Sequence, residues 1–390
     1  MILAAEAKVK NRVLLTLLVL MVVTNLCLPL LTDAPNRLIS GQGISLYALL
    51  DSGGAWFLLP FSVLAAVPFA PPARRTHLLA ALSAALLLGG FSLLAGHTAQ
   101  RLAGGDDSLI RISFGGGFWI SSGLCCLIAS DAISRATSRH SVRILANLMV
   151  FAPIAILLLS GQLDHLSVLK EYANRKDVFD EALLRHVEIL VLTLMLAIAL
   201  ALPLGLAGFR RPRSQRALFS VLNLIQTIPS IALFGLLIAP LAAIARQLPW
   251  LAEHGVSGIG MAPAIIALVL YSLLPLVRSI VAGLEQVPPA VVEAALGMGM
   301  TGSQLFLHVE MPLALPVLLS GIRVTAVQAV GLTVVAALIG AGGLGAIVFQ
   351  GLLSSALDLV LLGVIPVVVL AVIVDSFFKF IVASMETART

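Results

Sequence analysis

The chain has 390 residues, of which 59% are hydrophobic and 11% charged, with a formal net charge of +5. Soluble domains carry about 25% charged residues, so a soluble globular fold is excluded. The short alternating segments of an outer-membrane barrel are absent too, and the arginines lie scattered through short loops, which sets orientation in a bilayer instead of forming a nucleic-acid surface.

Ten apolar runs near the length of a bilayer-spanning helix follow one another at 13–31, 54–71, 77–95, 115–131, 144–160, 188–207, 217–245, 261–282, 313–339 and 357–383. The expected fold is all-α, a polytopic membrane protein of about ten transmembrane helices. Lys8, Lys10 and Arg12 precede the first run. That run is long for a signal-peptide core and no small-residue cleavage site follows, so it reads as a retained span. Cys27, Cys125 and Cys126 all sit inside apolar runs, with no zinc spacing and no disulfide framework. The run 217–245 contains Pro229 and Pro240, and a break in it is expected.

With the amino terminus in the cytoplasm, about 16 of the 24 Lys and Arg residues fall on the cytoplasmic side. The sharpest clusters are Arg74 and Arg75, then Arg135, Arg139 and Arg143, then Arg210, Arg211, Arg213 and Arg216. Both termini are then cytoplasmic. Outside, Lys170, Arg175, Lys176 and Arg185 share a loop at 161–187 with Asp164, Glu171, Asp177, Asp180 and Glu181. That loop separates an amino-terminal five-helix region, 1–160, which shows no recognisable chemistry, from 188–383, which holds most of the patterned polar residues.

The segment 283–312 is too polar for lipid. It carries Glu285, Glu293 and Glu310, each costing about 3 kcal/mol at mid-bilayer, and Gln286, Gln304 and His308 besides. Pro288-Pro289 suits a helix start; Gly297 and Gly299 suit its end. Thr301-Gly-Ser-Gln304 fits a capping box opening a second short helix, which Pro312 would close. Small residues at Ala294, Ala295 and Gly299 would let another protein approach closely.

Glu293-Ala294-Ala295, three residues, Gly299, nine residues, then Val309-x-Met311-Pro312 resembles the EAA loop of bacterial ABC importer permeases, with Val309 and Met311 where the family pattern has Ile and Leu. The stretches 186–206, 225–238, 271–301 and 339–352 resemble the osmoprotectant branch, which imports glycine betaine, choline and carnitine. The resemblance covers 180–383 and implies a type I importer permease core in a bacterial inner membrane. Its coupling loop (Glu293, Ala294, Ala295, Gly299, Val309, Met311, Pro312) would dock on a cytoplasmic ATPase that uses ATP and Mg. A periplasmic or lipid-anchored binding protein would deliver substrate, and a second permease subunit would complete the path. With the last span ending at 383, a fused binding domain is not expected.

No Gly-Lys dipeptide occurs, so no Walker A loop is present and the chain is read as a transport subunit, not an enzyme. Gly340-x-Gly342-x-x-Gly345 matches a dinucleotide fingerprint, but a long apolar helix precedes it instead of a strand. Gly340, Gly342, Gly343 and Gly345 read better as a helix break at the outer face, with a part in gating. Gln226, Thr227, Ser230, Tyr271 and Gln328 are candidates for a polar translocation path, with ordinary interhelical contact as the plain alternative. Arg278, Arg323 and Asp375 near the cytoplasmic ends are explained by snorkelling or mutual pairing.

Three Trp and three Tyr offer no aromatic cage for a quaternary ammonium along the core. Trp56 and Trp119 lie in the amino-terminal half and Trp250 in an outside loop, so selectivity is expected in the binding protein. Competing readings are an ABC permease for methionine or another amino acid, and an ion-coupled secondary transporter. The latter calls for internal repeats and mid-membrane ionisable residues, and neither is found. An intramembrane enzyme would need a catalytic pair at lipid depth, and no such pair appears. Nor do the seven histidines make a metal motif.

Overall fold

A computed structural model describes residues 9–36, 41–102, 109–253 and 256–387. It divides into two compact units, Met1–Asn174 and Arg175–Thr390. Lys8, one of the basic residues before the first run, lies outside the described residues.

The first unit runs α1 (Arg12–Cys27), β1 (Leu31–Ala34), β2 (Gln42–Ile44), α2 (Leu46–Leu49), α3 (Leu58–Ala66), α4 (Arg74–Leu102), β3 (Arg111–Phe114), α5 (Gly116–Ala136), α6 (His140–Met149), α7 (Ala152–Leu159) and α8 (Ser167–Asn174). Helix α4 is its centre, with 67% of its most apolar stretch buried. Alanine and glycine make that possible, because they let neighbours approach the backbone. A Cβ at Gly89 would meet Pro153 of α7, and one at Gly90 would meet the Phe57 ring.

Three short strands qualify the all-α expectation. β1 pairs antiparallel with β2 and with β3, in the order β2-β1-β3. This pairing puts the end of α1, the end of α4 and the start of α5 at one end of the bundle. The amides of Lys10 and Asn11 both donate to Pro68, which puts the start of α1 and the end of α3 at the other. The unit therefore alternates its helix ends span by span.

The second unit runs α9 (Lys176–Arg210), α10 (Pro212–Thr227), α11 (Ser230–Gln247), α12 (Pro249–Glu253), α13 (Met261–Glu285), α14 (Pro289–Gly297), α15 (Gly302–Leu305), α16 (Met311–Ala336), α17 (Leu344–Leu353) and α18 (Leu357–Thr387). Here α13 is the central helix, 67% buried over its most apolar stretch, whereas α11 and α18 are only 17% buried. Val368, Val369, Ile373 and Phe377 on α18 are exposed; apolar side chains facing outward suit hydrocarbon as solvent.

Each of the ten expected spans falls on helix. Among the described residues seven helices are long and apolar enough to cross a membrane, or eight with the bent pair Ser141–Met149 and Ala152–Leu159; Arg12–Cys27 and Ala55–Phe69 are shorter. Segment 161–187 is largely helical, formed by α8 and the first turns of α9. Lys176, Asp177, Asp180 and Glu181 lie on the exposed first turns of α9, while Glu171 of α8 is buried against Arg111 of β3, 3.5 Å away; charges spaced three to four apart support helix as readily as loop. The run 217–245 breaks at Ile228-Pro229, while Pro240 stays inside α11. The residues before the break form α10, which opens in the arginine cluster.

Candidate functional site

The polar stretch at 283–312 is built from the end of α13, all of α14 and the approach to α16. Pro288 is extended at φ −62° and ψ 132°, and Pro289 takes the first helical position, where a missing N–H costs nothing. Helix α14 ends in a Schellman motif. The amide of Met300 reaches the carbonyl of Ala295 at 3.2 Å, and that of Gly299 reaches Leu296 at 2.9 Å. Gly299 is left-handed at φ +83°, which is why glycine belongs there. Gly297 lies within the helix.

Glu293, Ala294 and Gly299 are exposed and Ala295 is buried. Leu296 and Met298 also project outward, and nothing lies within 4 Å of a Cβ placed on Gly297, Gly299 or Gly302. The result is a small-residue knob with an exposed carboxylate and apolar rim, open to a partner's surface.

Thr301 and Gln304 form the expected capping box: Thr301 N–H donates to Gln304 Oε1 at 2.8 Å, and Gln304 N–H donates to Thr301 Oγ1 at 3.4 Å. The helix it opens does not close at Pro312, as the sequence had suggested. It widens into a π turn over Phe306–Glu310 and continues as α16. Proline lacks an N–H for the carbonyl four residues back, His308, and its ring crowds that oxygen. The wider turn absorbs both problems. Val309 and Met311 are half-buried and Pro312 exposed, so these three belong to the root of a long helix. Around this end Gln215 Nε2 donates to Glu285 Oε1 at 3.2 Å, and the Arg210 guanidinium lies 6.0 Å from the Phe306 ring centroid.

Four of the five path candidates gather at the break between α10 and α11. Gln226 Nε2 donates to the Tyr271 carbonyl at 2.9 Å, and the Tyr271 hydroxyl donates to the Ile228 carbonyl. Thr227 turns back to Leu224 at 2.7 Å, and Ser230 is the first residue of α11. Gln328 stands apart, exposed on α16. Gln226 and Tyr271 thus clasp a helix break.

The glycine run has two jobs. Gly340, Gly342 and Gly343 have φ of +80°, +80° and +75°, and Gly340 ends the α16 segment with the same paired amide bonds seen at Gly299. Gly345 is instead a packing glycine, since a Cβ there would run into the Val334 carbonyl. The loop is tied down by Gly260, Arg185 and His186. Gly260 N–H donates to Ile339 at 2.7 Å, Arg185 Nε donates to Ala341 at 3.4 Å, and fully buried His186 lies under Gly343. The polar pair Arg185-His186 opening an apolar run is the sequence signal for it.

Arg323 Nε meets Asp375 Oδ1 at 2.7 Å, and Lys379 Nζ meets Asp375 Oδ2 at 2.6 Å, so these charges are mutually paired. Arg278 bonds Asn223 Oδ1 at 2.7 Å. Among the described residues no group of His, Cys, Asp or Glu is placed to hold a metal.

Comparison with known proteins gives two family matches. Residues 173–387 match "Binding-protein-dependent transport system inner membrane component", and residues 10–169 match "ABC transporter permease YehY, N-terminal domain". The chain is similar to the osmoprotectant import permease protein OsmW of Salmonella typhimurium, 38% identical over 191 residues covering 49% of this chain and 84% of that protein. It is also 35% identical over 190 residues to the glycine betaine/carnitine/choline transport system permease protein OpuCB of Bacillus subtilis, covering 49% and 80%. A solved structure titled "Inward facing conformations of the MetNI methionine ABC transporter" matches at 22% identity and a TM-score of 0.48, over 54% of this chain and 98% of that one.

Proposed function

From the premise that the chain belongs to the family of binding-protein-dependent transport system inner membrane components, and so is a multi-pass permease of an ABC importer, we propose that it imports quaternary-amine osmoprotectants such as glycine betaine. The observation that carries the substrate class is the identity of 38% and 35% to relatives named for osmoprotectant and for glycine betaine, carnitine and choline transport. A separate binding protein delivers the amine, and cytoplasmic ATPase subunits hydrolyse ATP with Mg. The permease works as a pair of cores in the bacterial inner membrane, with both termini in the cytoplasm.

The knob around Glu293 supports a coupling role for α14. It is exposed, its backbone is fixed at Gly299, and past the turn at 298–301 one continuous helix runs from Gly302 through α16. A push on α14 is therefore delivered to a helix that packs on α13. At the opposite end of α9, the left-handed glycines and the Gly260 and Arg185 ties supply a loop suited to gating. The break clasped by Tyr271 lies between, where a translocation path would need non-helical backbone lining a cavity.

The test is uptake of radiolabelled glycine betaine into proteoliposomes holding the permease, its ATPase and its binding protein, with unlabelled choline, carnitine and methionine as competitors. Competition by choline or carnitine but not methionine is expected. Competition by methionine alone would overturn the substrate class while leaving the importer reading intact.

A further inference from the structure

Helix α10 starts with more positive charge than the chain answers. Arg210 closes α9, Arg211 links the two helices, and Arg213 and Arg216 lie in the first turns of α10. All four are exposed. Among the described residues none of them makes an ion pair, and the first turn of α10 holds no acidic residue. Glu285, the carboxylate that reaches this turn, accepts from Gln215 instead. Like charges one turn apart repel, and an anion from outside the chain would relieve that repulsion.

The patch lies at the edge of the bilayer. The apolar run 188–207 of α9 rises about 30 Å, the thickness of the hydrocarbon core, and Arg210 follows directly after it. Helix α10 then climbs back antiparallel to α13. Gln215 bonds Glu285 at 3.2 Å, Asn223 bonds Arg278 at 2.7 Å, and Gln226 bonds the Tyr271 carbonyl at 2.9 Å. Leu222 is buried on one side of α10. On the other side Arg213, Ala217, Ser220 and Leu224 recur at the spacing of one helix face, all exposed, with Val221 exposed beside them. That face is cationic at its foot and uncharged above.

We propose that this face binds an anionic phospholipid of the surrounding bilayer, its phosphate held by Arg213 and Arg216 and an acyl chain lying along Ala217, Val221 and Leu224. The planar guanidinium fork suits a phosphate. Arg210 and Arg211 add to the attraction from the end of α9. The step from guanidinium to outward apolar side chains along one helix face selects an amphiphile with a negative head. An acidic protein surface would leave Val221 and Leu224 uncovered, and a free anion would use the arginines alone.

The experiment is native mass spectrometry of the full-length chain in neutral detergent, titrated with dioleoyl phosphatidylglycerol or dioleoyl phosphatidylcholine. Each arginine near the surface favours an anionic lipid by about fivefold, so for the first lipid bound phosphatidylglycerol should be preferred by about 25-fold. Arg213→Gln should lower the preference to about fivefold, adding Arg216→Gln should remove it, and Arg213→Lys should keep it. Leu224→Asn should weaken both lipids and leave their ratio unchanged. Arg74→Gln with Arg75→Gln, an exposed basic pair elsewhere, should leave the preference intact. Equal retention of the two lipids by the native chain, or a preference that survives the Arg213→Gln, Arg216→Gln double variant, would overturn the proposal. So would an equal loss on replacing Arg74 and Arg75, which would mark a general effect of basic surface. Displacement of phosphatidylglycerol by glycerol 3-phosphate would overturn it as a free-anion site, and displacement by added ATPase subunits as a protein-docking patch.

Discussion

The Tyr271 hydroxyl donates to the carbonyl of Ile228 while Gln226 donates to the carbonyl of Tyr271 itself, so α13 holds the α10 side of the α10–α11 break twice. Pro275 inside α13 leaves the Tyr271 carbonyl without its helical donor, which Gln226 replaces, and the Tyr271 hydroxyl caps the Ile228 carbonyl at the break. Tyr271→Phe and Gln226→Leu should each cost about 1 kcal/mol of stability. The double variant should cost less than their sum, because both bonds serve one structural unit. Thermal unfolding of the three variants in detergent reads this directly; strict additivity would show that the break does not depend on a shared clasp.

Two glycines of α14 should respond in opposite directions. Gly297 is helical and open, so Gly297→Ala should stabilise by about 0.5–1 kcal/mol. Gly299 is equally open but left-handed at φ +83°, so Gly299→Ala should destabilise by about 1–2 kcal/mol, and Gly299→Asn by less. Ranking the three melting temperatures checks it, and equal effects at 297 and 299 would contradict the C-cap.

The seam between α13 and α16 rests on a close approach. A Cβ at Gly321 would overlap the Ser279 side chain, and one at Gly283 would sit 2.7 Å from Leu318. Gly321→Ala should therefore cost about 1–3 kcal/mol by overpacking. Adding Ser279→Gly should return part of that loss. If the second change deepens the damage, the two helices do not meet there.

At the other end of the unit Gly343 has φ +75° and ψ −174°, a region open essentially to glycine alone, and an added Cβ would press within 3.3 Å of His186. Gly343→Ala should cost about 1–3 kcal/mol and slow substrate entry more than it slows basal ATP hydrolysis. Parallel assays of uptake and ATPase rate separate the two effects; an equal fall in both would argue against a gating role for the loop.

What was legible in the sequence was local. The Thr301–Gln304 box depends on residues three apart, and the helix end at Gly299 on one backbone angle, so both could be read without a fold. Spans were legible because lipid imposes a length. The strand pairing of Leu31 with Phe114 was not, since three- and four-residue strands leave no hydropathy signature and their partners lie far apart in the chain. Pro312 misled for a different reason. Proline predicts a helix end unless the preceding turn widens, and the π turn at Phe306–Glu310 is a tertiary accommodation. The Gln226–Tyr271 pair appeared as two polar residues, but that they clasp a break needed coordinates.

Helix α14 is proposed as the element through which a separate cytoplasmic ATPase drives this permease. The most direct measurement is ATP hydrolysis by the reconstituted complex, with and without loaded binding protein, for the native chain and for Glu293→Arg. Glu293 is exposed and its replacement disturbs no buried contact. The Glu293→Arg complex should still assemble on size exclusion while stimulation by the binding protein and uptake of glycine betaine are both lost. Uptake that continues unchanged in Glu293→Arg, driven by an ion gradient without ATP, would contradict it.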